Sequence, residues 1–263
     1  MKFAFSVLSL FFSFLLFGQN YPDYKVTYKL NYKLNVDLDA YNVEYFDLIT
    51  KSTGSVFLSQ SKFYHDSINN SSLSKSQKTL QHKKVPRGNF QSIVGVSSKG
   101  VTTKDIVGLT NYVIYEDEFP SYQFTNEEKL INGFNCKLVK ANYSGRTWNL
   151  WYTEEIPLTA GPYKFHGLPG LVIYAADNEE HYIYSLYKYK PIEKTPSIVS
   201  DFYLIGSDFE EISLTEYIEI RLKAMSSWSG FLSATGVEIA NDDPQEIRNI
   251  SSKMRKKTNF IEL

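Results

Sequence analysis

The chain of 263 residues has one cysteine, Cys136. A lone thiol forms no intrachain disulfide and no thiolate metal cage, so the fold must rest on its core, which is feasible at this size. An excess of either charge is also lacking. The 28 basic and 29 acidic side chains leave a formal net charge of −1, with no long-range pull toward nucleic acid or an anionic membrane. The histidines, His65, His82, His166 and His181, show no HxH, HExxH or HxxxH spacing, so a two-histidine metal site would depend on long-range folding. The chain carries no GxSxG elbow, phosphate loop or dinucleotide fingerprint. Neither a cofactor nor a metal nor a catalytic residue is therefore assigned.

Long apolar runs are absent after the start. Residues 1–19 read as a secretory signal peptide, with Lys2 as the basic region and Ala4 to Phe17 as the apolar one, followed by small or polar residues near Gly18 to Asn20. That run falls short of the roughly 20 residues that span a bilayer. The expectation is an exported chain, in the periplasm or cell envelope, with no transmembrane span once the leader is removed.

What is abundant is aromatic: 20 Tyr and 18 Phe, a composition suited to half-buried sheets. Tyr24, Val26, Tyr28, Leu30, Tyr32, Leu34 and Val36 alternate with polar residues, the period of a strand with one wet face. Strands continue at 43–50 and 55–60, resume after residue 90, and form a hairpin at Asn132-Gly133, the dipeptide a type I′ turn needs. Residues 65–89, rich in Ser, Asn and Lys, read as a mobile polar insertion in a single domain, 20–263. Two helices are expected near the C-terminus. Ser213 and Glu216 form a capping box, with Leu214, Tyr217, Ile218, Leu222 and Met225 on one face, and Asp243-Pro244 opens the second helix. The basic end of that helix, Lys253, Arg255, Lys256 and Lys257, suits the helix dipole better than an anionic partner. The fold class is mainly β (a β-rich α+β fold): a large curved antiparallel sheet, a half-barrel-like meander, with two C-terminal helices.

The chain is organised around residues 146–174, where a Trp-rich strand enters a loop holding Pro157, Pro162 and Pro169. Leu168-Pro169-Gly170-Leu171 has the residues of a type II turn. The loop's Ile156, Leu158, Tyr163, Phe165 and Leu168 predict that it packs on itself. Candidate binding residues are Arg146, Trp148, Trp151, Tyr163, Phe165, His166, Gly167, Leu168, Pro169 and Gly170. Arg146 is expected to stack on Trp148 or bridge to Glu154. His166 is the one histidine in this loop and the only candidate base there. Cys136, with Phe134 and Leu138 on one strand face, reads as a small core residue and not a nucleophile. Glu154 and Glu155 point opposite ways if still in a strand, which does not suit a shared proton.

The run Gly167 to Val172 resembles the signature of the GLPGLI family, secreted proteins of Gram-negative Bacteroidota, with Val172 in place of Ile. Further motifs resemble that family: Ile131 to Cys136, Gly145 to Trp148, Trp151 to Pro157, Gly161 to Phe165, the early SVF strand and the terminal I-E-L. Tyr122 and Asn259-Phe260 depart from the pattern. The resemblance implies export and assigns no reaction.

Function is thus expected from architecture. A curved sheet with an aromatic face resembles half-barrels that hold acyl chains, so the first expectation is a non-catalytic carrier for a lipid-like hydrophobic ligand. The alternative is an interaction module that docks an outer-membrane protein through an exposed aromatic patch. An enzyme comes third and would need His166, Cys136 or Glu155 in one cleft.

Overall fold

The computed structural model describes residues 23–117, 119–196, 202, 208–227, 230–232, 244–255 and 257–262. The leader and the expected cap Asp243 lie outside them. Alternation in the sequence becomes one sheet of 12 strands: β1 (Asp23–Tyr32), β2 (Asn42–Lys51), β3 (Gly54–Ser59), β4 (Ile93–Ser97), β5 (Gly100–Val107), β6 (Thr110–Glu116), β7 (Tyr122–Ile131), β8 (Phe134–Tyr143), β9 (Arg146–Thr153), β10 (Leu171–Asp177), β11 (Tyr182–Ile192) and β12 (Phe209–Glu211). Across the sheet the order is β12-β6-β5-β4-β3-β2-β1-β11-β10-β9-β8-β7. Two meanders therefore meet at β1, one wing running out to β6 and the other to β7.

Neighbouring strands are antiparallel, as expected, with one correction: β12 joins β6 in parallel and makes the sheet mixed. The sheet stays open between β12 and β7. Its curl nonetheless brings the wings together, since Tyr143 on β8 donates to Glu116 on β6. The Asn132-Gly133 turn has φ of 53° and 85°, and Ser144-Gly145 repeats it at 48° and 74°, the two left-handed positions of a type I′ hairpin.

Helices at the sheet include α1 (Gln60–Asn69), α2 (Lys75–His82), α3 (Leu214–Ser226) and α4 (Pro244–Arg255). Residues 65–89, expected to be irregular, hold the end of α1 and all of α2. Burial explains why the pattern was silent. Helix α2 buries no side chain and shows no apolar stripe, so only the Ser74–Gln77 capping box announces it. Helix α3 starts at Ser213 with its capping box, as expected. Its inward face is different: Tyr217 and Ala224 are buried, Arg221 turns inward, and Met225 is exposed.

The core fills the concave side. Val26, Tyr28, Leu30 and Tyr32 of β1 lie in it with Trp148, Leu150, Tyr152 and the loop residues Ile156, Tyr163, Phe165 and Leu168. Edge-on and stacked rings pack there, Trp148 on Phe165 at 4.9 Å and Phe46 on Phe57 at 4.9 Å between centroids.

Candidate binding site

The loop between β9 and β10 is built from tight turns. The Leu158 N–H donates to the Ile156 carbonyl and the Ala160 N–H to the Leu158 carbonyl, both at 2.7 Å. At Leu168-Pro169-Gly170 the type II turn is not formed. The Gly170 N–H donates back to the Leu168 carbonyl at 2.7 Å, a three-residue turn about Pro169. Glycine is needed at 170 because a Cβ there would lie 1.9 Å from the Thr153 carbonyl oxygen. The main chain passes too close for any side chain. Gly167 differs: its φ is +89° and a Cβ would meet nothing within 4 Å.

Tyr163 adopts a left-handed φ of 57°, uncommon for a bulky residue. It is held by its surroundings, with its ring buried and its hydroxyl donating to Glu262. Next to it, Lys164 is fully buried and reaches Glu116 at 2.5 Å and Glu262 at 2.6 Å. Burial alone would lower the Lys164 pKa, but Glu262, Tyr143 and Glu116 overcome it and hold the ammonium charged well above its usual range. For Glu262 burial would raise the pKa, and Lys164 and Arg221 reverse the sign and lower it. Tyr217 completes the cluster by donating to Asp105 at 2.5 Å. The result joins both wings, the loop and the tail in one charged staple.

Arg146 forms a second anchor. Its guanidinium pairs with buried Asp177 at 2.7 Å and donates to the Asn259 side chain and the Phe260 carbonyl, both at 2.6 Å. It lies 5.0 Å over the Tyr182 ring. The expected partners are corrected accordingly: Tyr182, not Trp148, is the stacking face, and Glu154 pairs with Lys137 at 2.9 Å instead. The reason is that Asp177, the tail and the Tyr182 ring surround the guanidinium.

Among the candidate residues, Trp148, Tyr163, Phe165, Leu168 and Gly170 are buried, and Arg146 is engaged as above. His166 is half-buried, with its ring 5.6 Å from Phe119 and its carbonyl accepting from Tyr122 at 2.9 Å. Burial lowers its pKa. Gly167 and Pro169 are exposed. Trp151 stands apart, half-buried on the outer face of the sheet. Cys136 is fully buried, and burial with nearby Glu155 raises its thiol pKa, the opposite of nucleophile activation. Sequence reading missed Lys164, Glu116 and Glu262. The only signal was a lysine between two aromatics in a Pro-fixed loop, and an isolated Glu in the I-E-L tail.

The two faces offer different space. Inside, the gap among Phe46, Phe90, Tyr163, Tyr184 and Glu262 is about 10 Å³, room for about one water. Outside, a groove of about 680 Å³ runs along β7 to β10 past Trp151, Tyr174, Leu138 and Asn149. Lys129 sits 5.8 Å over the Trp151 ring. On the same face Tyr45 meets Tyr187 at 5.1 Å, and Tyr187 is 60% exposed.

Fold and site together define an open, mostly β shell with a filled interior and an aromatic outer face. A family model described as "Protein of unknown function (Porph_ging)" matches residues 126–174, from within β7 through the loop into β10. Two crystal forms of PNGF-II are similar in fold, each with a TM-score of 0.53 at 16% identity, covering 78% of this chain and 34% of theirs. The chain thus spans about a third of the length of PNGF-II. A comparison with curated proteins found no match. Among the described residues, no helix is long and apolar enough to cross a membrane.

Proposed function

We propose that the chain is an exported, GLPGLI-type envelope protein that works as an interaction module, docking a protein partner on the outer face of the sheet around Trp151. One observation carries this reading: the outer groove of about 680 Å³ and its neighbouring aromatics lie open while the inner face is filled. Tyr and Trp are among the side chains that dominate protein interfaces. The GLPGLI assignment rests on the motifs at Ile131 to Val172, most of which fall within the matched segment, and export rests on the leader.

The carrier reading needs a cradle. Here the protein's own loop and tail occupy the concave face, which favours the interaction module. Photo-crosslinking groups placed at Trp151, Tyr187 and Leu109 in the envelope of a Bacteroidota host test the choice. One protein species captured from positions 151 and 187 but not 109, and lost on Tyr174→Ser, which lines the same groove, supports docking. A lipid-sized mass retained in native mass spectrometry, with no capture, supports the carrier instead.

A further inference from the structure

We infer that a second groove, between the β1–β2 connection and α4, binds a phosphate group presented by a lipid headgroup. The groove holds about 800 Å³ and is lined by Leu34, Val36, Asp37, Arg248, Ser252 and Arg255, among others. Arg248 and Arg255 are seven residues apart on α4, so they share one helix face about 10 Å apart along the axis, with Ser252 between them. That spacing lets two guanidinium forks turn onto one tetrahedral anion, with a hydroxyl beside it. Among the described residues the Arg248 guanidinium donates to the Gln245 side chain at 3.3 Å, and neither arginine has an ion pair.

The walls are fixed to each other. Asn259, just past α4, donates its N–H to the Leu34 carbonyl at 3.1 Å and its amide to the Lys33 carbonyl at 2.5 Å. On the opposite wall Val36 is 52% exposed and Leu38, beside it, 56%. Apolar side chains next to an arginine pair match a phospholipid surface, where the phosphate lies just above the acyl boundary. Asp37 is the one carboxylate among the lining residues and opposes the anion. Attraction is local, because the whole chain is near neutral, so the site acts on contact and does not steer from afar.

The test is co-sedimentation of the mature chain with vesicles of phosphatidylcholine alone or mixed with phosphatidylglycerol. Binding to the mixed vesicles should weaken about five-fold for each of Arg248→Gln and Arg255→Gln, hold in Lys253→Gln, which lies off the groove, and tighten in Asp37→Asn. Melting temperatures should not change, since these side chains are exposed. No preference for phosphatidylglycerol overturns the proposal, as does a Lys253→Gln loss equal to that of the arginines. Inorganic phosphate should displace the protein better than chloride at equal ionic strength; equal displacement overturns the phosphate site. Phosphate binding in solution with no vesicle binding overturns the lipid source.

Discussion

The inner and outer faces of the sheet use the same residue types for opposite ends. Inside, Tyr, Trp, Lys and Glu are sealed into a filled core where the charged groups are committed: Lys164 to two carboxylates and Arg146 to Asp177 and the tail. Outside, Trp151, Tyr174 and Tyr187 stand among lysines and amides and keep contact with water. Position in the pleat, and not residue type, decides whether an aromatic is a structural or a docking group. Trp148 and Trp151, three residues apart on one strand, make the contrast in miniature.

The staple should give the largest break. Lys164→Ala leaves buried Glu262 with Arg221 alone at 3.9 Å and partly buried Glu116 without its cation, and should cost about 3–5 kcal/mol in urea titration. Lys164→Met with Glu262→Gln should cost less than the sum of the single changes, as a double-mutant cycle reads directly. Trp148→Ala, which opens the core, should also cost about 3–5 kcal/mol, while Trp151→Ala should cost under about 1 kcal/mol yet abolish partner capture. A similar loss for both tryptophans would erase the distinction between the faces.

Smaller effects sharpen it. Gly167→Ala should cost about 1–2 kcal/mol through its left-handed backbone. Gly170→Ala should cost more, because the Cβ collides with the Thr153 carbonyl; thermal melts of the two variants rank them. Acid should loosen the inner face selectively. Glu262 has a lowered folded pKa, so its contribution is present above the unfolded value near 4.5 and is lost as pH falls through the folded one. Glu262→Gln should flatten that acid limb of the melting temperature, whereas Trp151→Ala should leave its slope unchanged.

Local patterns were legible before the fold was known. Alternation from Tyr24 to Val36 located β1, although the strand ends at Tyr32; Asn132-Gly133 specified a hairpin, and Ser213 with Glu216 specified the start of α3. Each depends on neighbours within a few residues. The partner of Arg146 was not legible, because Asp177 lies 31 positions away and the Phe260 carbonyl 114. Lys164 met Glu262 across 98 positions, a pairing no local pattern encodes. The Leu168 to Leu171 turn misled for a different reason. Pro and Gly there satisfy two motifs, and the close approach of Thr153 selects the tighter one. The candidate site was visible at Trp151 and hidden elsewhere, since the signature loop that drew attention turned inward.

The tail has a consequence for assembly. Residues 259–262 follow all 12 strands in the chain, yet they supply the groups that bind Arg146 and Lys164. A chain delivered amino end first therefore completes every hairpin before its clasp arrives. Until then Lys164 and Arg146 lack part of their partners, and fewer bonds join the two wings. Such a molecule stays pliable while the chain is being made and locks only once its final segment has arrived.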